Sequence, residues 1–292
     1  MNWQIKKIDK LEADQLEQDL LEKMSDISHI LHTQKYEHLF VARNEYHVVG
    51  IGVGWVNEFH PTAMYFRIFI SDRAQDADRM ADAIFHQIKL ATVHQDKWIW
   101  AGSESDESMS TFLIRNGFRL IRKTYMPTLQ MNDIQKHFKN VEKADNYISL
   151  KELLNNTEMK QSFFTLLKET YTATHQVNPV NNYSLEEWED ILLNDAPDQE
   201  HSLISHDYHC IDGFIMMHPV DSRHYEVGWL GISESTEPTL LRRLLKKQLE
   251  SLSEKGVATL ALEVDTTDWH AMKLFSFIDV ETGEAWETYI LQ

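Results

Sequence analysis

The chain has 292 residues, 42% of them hydrophobic, and a formal net charge of −18 from 28 basic and 46 acidic side chains. That length suits two domains of about 150 residues each, and the acidity argues against a nucleic-acid or anionic-membrane surface while suiting a cationic partner such as an amine. One cysteine, Cys210, excludes an internal disulfide and fits a reducing, cytoplasmic setting; no run has the apolar length of a membrane span, and MNWQIKKIDKLEADQ has no apolar stretch of a secretory signal.

In chain order, NWQIKKI predicts a strand, and EADQLEQDLLEKM and SHILHTQ predict helices. HLFVARNEYHVVGIGVGWV reads as two strands of a hairpin, MYFRIFIS (Met64 to Ser71) as a third strand, and ADRMADAIFHQIKLATVH as a long helix. KWIWAG, a short helix ending in FLIRNGF, and a last strand RKTYMPTL close the first half. The same order then recurs. NYISL predicts a strand, followed by helices EMKQSFFTLLKETYTATH and SLEEWEDILLND. The second of these starts with Ser184 and Glu187 at capping-box spacing. HSLISHDYHCIDGFIMMHPV, EVGWLGIS (Glu226 to Ser233), TLLRRLLKKQLESLSEK, ATLALEV, a helix ending in LFSFIDV, and WETYIL follow.

The two halves keep a nearly constant offset. Tyr46 to Tyr208 and Ile70 to Ile232 are each 162 residues apart, and Gly50 to Gly213 is 163. A duplicated unit is implied, with a period too long for a solenoid. The polar stretch NDIQKHFKNVEKADN sets the expected join, giving domains 1–140 and 141–292. The fold class expected is α/β (α+β): two units, each a twisted, mixed, mostly antiparallel sheet flanked by helices, with Met64–Ser71 and Glu226–Ser233 central.

This order resembles the GNAT N-acetyltransferase superfamily in a tandem form. The most specific points are STFLIRNGFRLIRKTYM and DTTDWHAMKLFSFIDVETGEAWETYIL. The resemblance implies acetyl-CoA held between two splayed central strands, its pyrophosphate on a helix N-terminus, a Tyr acid and a carboxylate base. It also implies a small-molecule amine acceptor. A homodimer is compatible with it.

The loops depart from the family's glycine signature. SDRAQDADR in the first half has no glycine and carries Asp72, Asp76 and Asp78, which suit a helix start and repel an anion. SESTEPTLLRR in the second half also lacks glycine, but offers Ser235, Thr236 and Thr239, with Pro238 at the first turn and Arg242 and Arg243 beyond. The resemblance adds Leu230, Gly231, Ile232, Leu240, Asp268 and Phe275 as cofactor contacts. The family's acid falls on Leu113 and Phe275, neither of which has a proton to give; His270 and Tyr289 are nearby in sequence. Glu226 and Glu263 are the candidate catalytic bases, with Asp265 beside them. His206, His209 and Cys210 have metal-ligand types, but strand alternation splits the last two, and no metal site is expected. Two readings stay open: an N-acetyltransferase, and a GNAT-derived binding or scaffold protein without turnover.

Overall fold

The computed structural model describes residues 3–12, 16–45, 47–207, 210–278 and 280–292. Tyr46, Tyr208, His209 and Asp279, used in the repeat and metal readings, lie outside them. The chain forms two compact units. Unit 1 comprises Met1–Ile121, Asn178–Asn181 and Glu287–Gln292; unit 2 comprises Arg122–Val177 and Asn182–Trp286.

Unit 1 begins with β1 (Gln4–Lys7), α1 (Gln18–Lys23) and α2 (Ser28–Thr33). Then come β2 (His38–Arg43), β3 (Val48–Val56), β4 (Met64–Ile70), α3 (Ala77–Ala91), β5 (Trp98–Ser103), α4 (Glu107–Arg115) and β6 (Arg119–Tyr125). The chain's last strand, β14 (Ala285–Leu291), lies between β5 and β6, so the order is β1-β2-β3-β4-β5-β14-β6. Neighbours from β1 to β4 are antiparallel, and β4 runs parallel to β5. α3 buries Met80, Ile84 and Ile88 at helical spacing against one face of the sheet. It can lie that close because Gly50, Gly52 and Gly54 share this face: a β-carbon on Gly52 would sit 2.1 Å from Ile84 Cγ2. Leu20, Met24 and Ile27 cover the other face.

Unit 2 has β7 (Thr128–Gln130), α5 (Met131–His137), β8 (Tyr147–Ser149), α6 (Leu150–Leu154), α7 (Thr157–Thr174) and α8 (Leu185–Asn194). β9 (Leu203–Asp207), β10 (Cys210–Pro219), β11 (His224–Ile232), α9 (Thr239–Glu254), β12 (Thr259–Leu262), β13 (Val264–Asp265) and α10 (Trp269–Phe275) complete it. The sheet order is β7-β12-β11-β10-β9-β8, with only β11–β12 parallel. Met64–Ile70 and His224–Ile232 are interior strands, as expected. Ser184 and Glu187 make the expected capping box.

Four expectations change. The contacts divide the chain at Ile121, not near residue 140. The charged stretch after 128 is no linker: β7 pairs with β12, and Met131, Ile134 and Phe138 enter the unit 2 core. RKTYMPTL is two strands, because Pro127 has no N–H to continue a ladder. Within the helix expected over EADQLEQDLLEKM, the described residues become helical only at Gln18, after an extended Glu17.

Candidate functional site

In unit 2, β11 and β12 pair only from His224↔Thr259 to Val227↔Leu262. Beyond Leu262 the chain turns to a new partner, with Val264 and Asp265 of β13 opposite Tyr125 and Thr124. Among the described residues, no strand pairs with the edge of β11 that this leaves past Val227. The parting coincides with a β-bulge: Ile215 faces Leu230, but Met217 faces Val227, so β11 holds one extra residue at Gly228–Trp229.

The bulge changes which side chains meet. In a regular strand, Glu226 and Trp229 would point to opposite faces. Here Tyr225, Val227, Leu230 and Ile232 all enter the core beneath α9. Trp229 joins Tyr171 of α7 at 5.3 Å and Trp188 of α8 at 6.1 Å on the other face. On β12 and β13, Leu260, Leu262 and Val264 are likewise core residues, which by alternation turns Glu263 and Asp265 to the α7–α8 face with Glu226. His218, across the ladder from Glu226, lies under Gly228, where a β-carbon would meet its ring at 2.3 Å. Its Nε2 is 3.0 Å from Asp195 Oδ2, off the hydrogen-bond direction.

Arg122 serves this carboxylate floor. Arg122 pairs with Asp265 at 3.2 Å, and its guanidinium also meets His175 Nε2 at 3.2 Å. His175 stacks on Tyr171 at 4.1 Å. Protein crowding raises the pKa of Glu263; the charges of Glu226 and Asp265 push it further up, against Arg122. Glu263 still meets water, which screens the effect. A carboxylate raised in this way is poised as a proton acceptor. Glu226 and Glu263, the two expected bases, are therefore brought together. Arg122, His175, Tyr171, Trp229, His218 and Asp195 were not anticipated. The bulge turns Trp229 to the α7–α8 face.

The expected acyl-carrier contacts fare unevenly. Leu230, Gly231 and Ile232 lie on the unpaired edge, and Gly231 packs so tightly on α7 that a β-carbon would meet Thr170 at 2.6 Å. α9 starts at Pro238 with no side-chain cap and no acidic residue in its first turn. The hydroxyls of Ser235 and Thr236 bond to Ser233 Oγ at 3.2 and 2.7 Å. Arg242 lies over the Phe277 ring at 4.3 Å; Arg243 donates to Lys143 O at 3.4 Å and pairs with Asp145 at 3.5 Å. Thr236, Thr239, Leu240 and Arg243 line a cavity of about 330 Å3 shared with Asp145, Asp207, Asp212 and Glu237. Burial and then Asp207 raise the Asp212 carboxyl. Asp268 is the N-cap of α10, accepting from Ala271 N at 3.0 Å, and burial pushes its pKa up to about 6. Phe275 is a core residue, as is Leu113 of unit 1. Burial lowers the pKa of His270, while Tyr289 belongs to unit 1 and donates to Glu287 at 2.9 Å.

The corresponding place in unit 1 is built differently. β4 and β5 pair only at Met64↔Trp98 and Tyr65↔Ile99, without a bulge. Arg67 fills the parting: it donates to Ala101 O at 2.7 Å, pairs with Asp26 at 2.5 Å and lies over the Phe69 and Trp100 rings at 5.2 and 5.4 Å. The loop before α3 is filled too. Asp72 N donates to Asp19 Oδ2 at 2.8 Å, Lys23 pairs with Asp72 at 2.6 Å, and Arg73 pairs with Glu17 at 2.7 Å. Burial opposes ionisation of Asp19, but the bonds from Asp72 and Ser71 outweigh it and hold its carboxyl low. Asp76, expected to cap α3, takes a left-handed conformation (φ 58°) and makes no side-chain cap.

No family model and no curated protein sequence matches the chain. Solved structures do. A GCN5-related N-acetyltransferase from Sphaerobacter thermophilus superposes with a TM-score of 0.63 at 10% identity, covering 99% of this chain and 95% of that one. A tandem GNAT protein from the clavulanic acid biosynthesis pathway gives 0.58 at 11% identity, over 99% and 98%. A GNAT-family acetyltransferase from Colwellia psychrerythraea gives 0.55 at 11% identity, over 99% and 100%. At such identities the likeness is one of fold. The chain has the GCN5-related N-acetyltransferase fold over nearly its whole length, with an arrangement in two units that fits the tandem relative.

Proposed function

We propose that the chain is an N-acyltransferase that moves an acetyl group from acetyl-CoA to the amine of a small molecule, with unit 2 as the working half. The observation that carries this is the pair Glu226 and Glu263 on one face, where β11 and β12 part beside the bulge. An attacking amine must shed a proton, and Glu263, whose pKa is raised by protein crowding and by Glu226, is suited to take it. Trp229, Tyr171 and His175 form an aromatic wall on which an amine-bearing acceptor is oriented.

Acetyl-CoA supplies the activated acyl group. The unpaired edge at Leu230–Ile232 suits an extended chain of amides, and the uncapped start of α9 suits an anion. Ser235, Thr236, Thr239, Leu240 and Arg243 would surround it. The fit is better than in unit 1, where Asp19 already holds the loop N–H. Against it stand the four carboxylates near Arg243. Calorimetry with acetyl-CoA, followed by thiol release with a panel of amines, tests the reading. One acetyl-CoA per chain is expected, with release for at least one amine. Arg243→Ala should weaken binding and Arg73→Ala should not. Absence of both binding and release would sink the proposal.

A second reading, a binding protein without turnover, is favoured by one observation: Leu113 and Phe275 put buried hydrocarbon where the fold's relatives resembled above place a tyrosine acid. It predicts amine or acetyl-CoA binding with no thiol release. Among the described residues, no helix is long and apolar enough to cross a membrane.

A further inference from the structure

Arg122 and His175, both of unit 2, fix each other's chemistry. Arginine has only donors, so the 3.2 Å approach of Arg122 Nη1 to His175 Nε2 requires a bare nitrogen there. The proton of the neutral ring then sits on Nδ1, which lies 3.0 Å from Tyr171 O and donates to it. The Thr174 hydroxyl is beside both atoms, 2.9 Å from Tyr171 O and 2.8 Å from Nδ1. The imidazole also lies flat on the Tyr171 ring, with centroids 4.1 Å apart and planes 7° from parallel. The last turn of α7 thus holds the ring with its lone pair aimed at Arg122.

That lone pair is a large part of what places Arg122. Besides His175, the guanidinium meets Asp265 at 3.2 Å, and its Nε is buried with no partner among the described residues. The position of this charge matters to Glu263. Around Glu263 stand Glu226 on β11, Asp265 on β13, Asp195 at the end of α8 and Arg122 on β6, with His218 on β10 across the ladder from Glu226. Crowding by the protein raises the Glu263 pKa most; Glu226, Asp265 and, more weakly, Asp195 raise it further, and Arg122 lowers it. Moving Arg122 away would leave three carboxylates pressing a proton onto a fourth.

We propose that His175 is a positioning residue: its neutral imidazole holds Arg122 against Asp265, where the guanidinium keeps Glu263 available as a proton acceptor. The use of this arrangement in acyl transfer rests on the function proposed above; the positioning itself does not.

NMR titration of the Glu263 side-chain carboxyl in the full chain tests it without turnover. Arg122→Met should move the midpoint up by about 0.5 to 1 pH unit, a figure kept modest by the water at the site. His175→Leu removes the bare nitrogen and should move the midpoint in the same direction, by a similar or smaller amount. His175→Gln offers an amide oxygen in place of that nitrogen and should restore the wild-type midpoint. In the wild-type chain at neutral pH, the imidazole nitrogens should report a proton on Nδ1 and none on Nε2, a measurement that needs no variant to fold. A proton on Nε2, a midpoint that stays or falls in Arg122→Met or His175→Leu, or a His175→Gln chain that shifts as far as His175→Leu overturns the proposal. The pH climb of thiol release should follow the same shifts, since the acceptor amine's own ionisation is common to every variant. Shifted midpoints without any thiol release would leave the positioning standing and count against the acyl-transfer reading alone.

Discussion

The same strand parting occurs in both units and is finished in opposite ways. In unit 1 an arginine of the chain itself fills it: Arg67 bridges to Ala101 O, neutralises Asp26 and lies over two aromatic rings. In unit 2 the corresponding strand carries a bulge and Trp229, and the carboxylates of Glu226 and Glu263 face the gap, with Arg122 paired to Asp265 beside them. The anion loops differ in the same sense, with Asp19 seated on the loop of unit 1 and the α9 start uncapped in unit 2. A duplicated fold can thus keep its frame in both copies while one copy satisfies its own site from within. What separates the two partings is a bulge in the backbone and a handful of side chains.

The largest expected effect is at Glu263. Glu263→Gln should lower the rate of acyl transfer about 100-fold or more, measured as thiol release at saturating acetyl-CoA. A loss below about threefold would remove Glu263 from the chemistry. The sign of the pH dependence follows from its raised pKa: the base is lost as pH falls through that value, so the rate should climb with pH across it. Glu226→Gln removes a neighbouring negative charge and should move that climb to lower pH. A climb that moves upward, or stays, would break the pairing of the two carboxylates.

Next in size is Arg67→Met. It leaves Asp26 and Ala101 O without their partner and should cost about 2–4 kcal/mol in denaturant unfolding. Thiol release at unit 2 should be unchanged in the folded fraction. A parallel loss of activity would mean that Arg67 does more than close its own unit.

Asp268 should make a smaller contribution. Its folded pKa, about 6, lies above its unfolded value, so the folded state holds the proton more strongly, and stability should decline as pH rises from about 4 to 6. Asp268→Asn keeps a capping oxygen and should flatten that decline; unfolding curves at several pH values would show an unchanged slope if this is wrong. Smallest is Asp19→Asn, expected to cost under about 1 kcal/mol. The folded pKa of Asp19 is depressed, so its contribution is present above the unfolded value and is lost as pH falls through the folded one. If the variant gains acetyl-CoA binding in unit 1, the loop was closed by that carboxylate alone.

Much of the frame was legible. The Ser184 and Glu187 capping box is a pattern within one turn of chain, and it formed as read; α9 formed over the helix expected at TLLRRLLKKQLESLSEK. The facing of Glu226, on β11, and Glu263, between β12 and β13, was also legible, since their apolar neighbours mark the buried face. The rest was not. Nothing in MYFRIFIS says that Arg67 will find Asp26, 41 positions earlier. Nothing in EVGWLGIS announces the bulge, which depends on the register with β10. Asp19 and Asp72 meet across 53 positions, and the loop aspartates expected to cap α3 leave that role unfilled.

The sequence by itself determined the order of helices and strands and the doubled plan. Each of these is written in residue type and short-range spacing. Only the tertiary structure decided that β14 joins unit 1, that the unit boundary falls at Ile121, and that one cleft is filled while the other is lined with carboxylates. Strand partners and charge neighbours are chosen among groups far apart in the chain, by which pairing buries apolar surface and satisfies the backbone together. That choice exists only once the chain has folded.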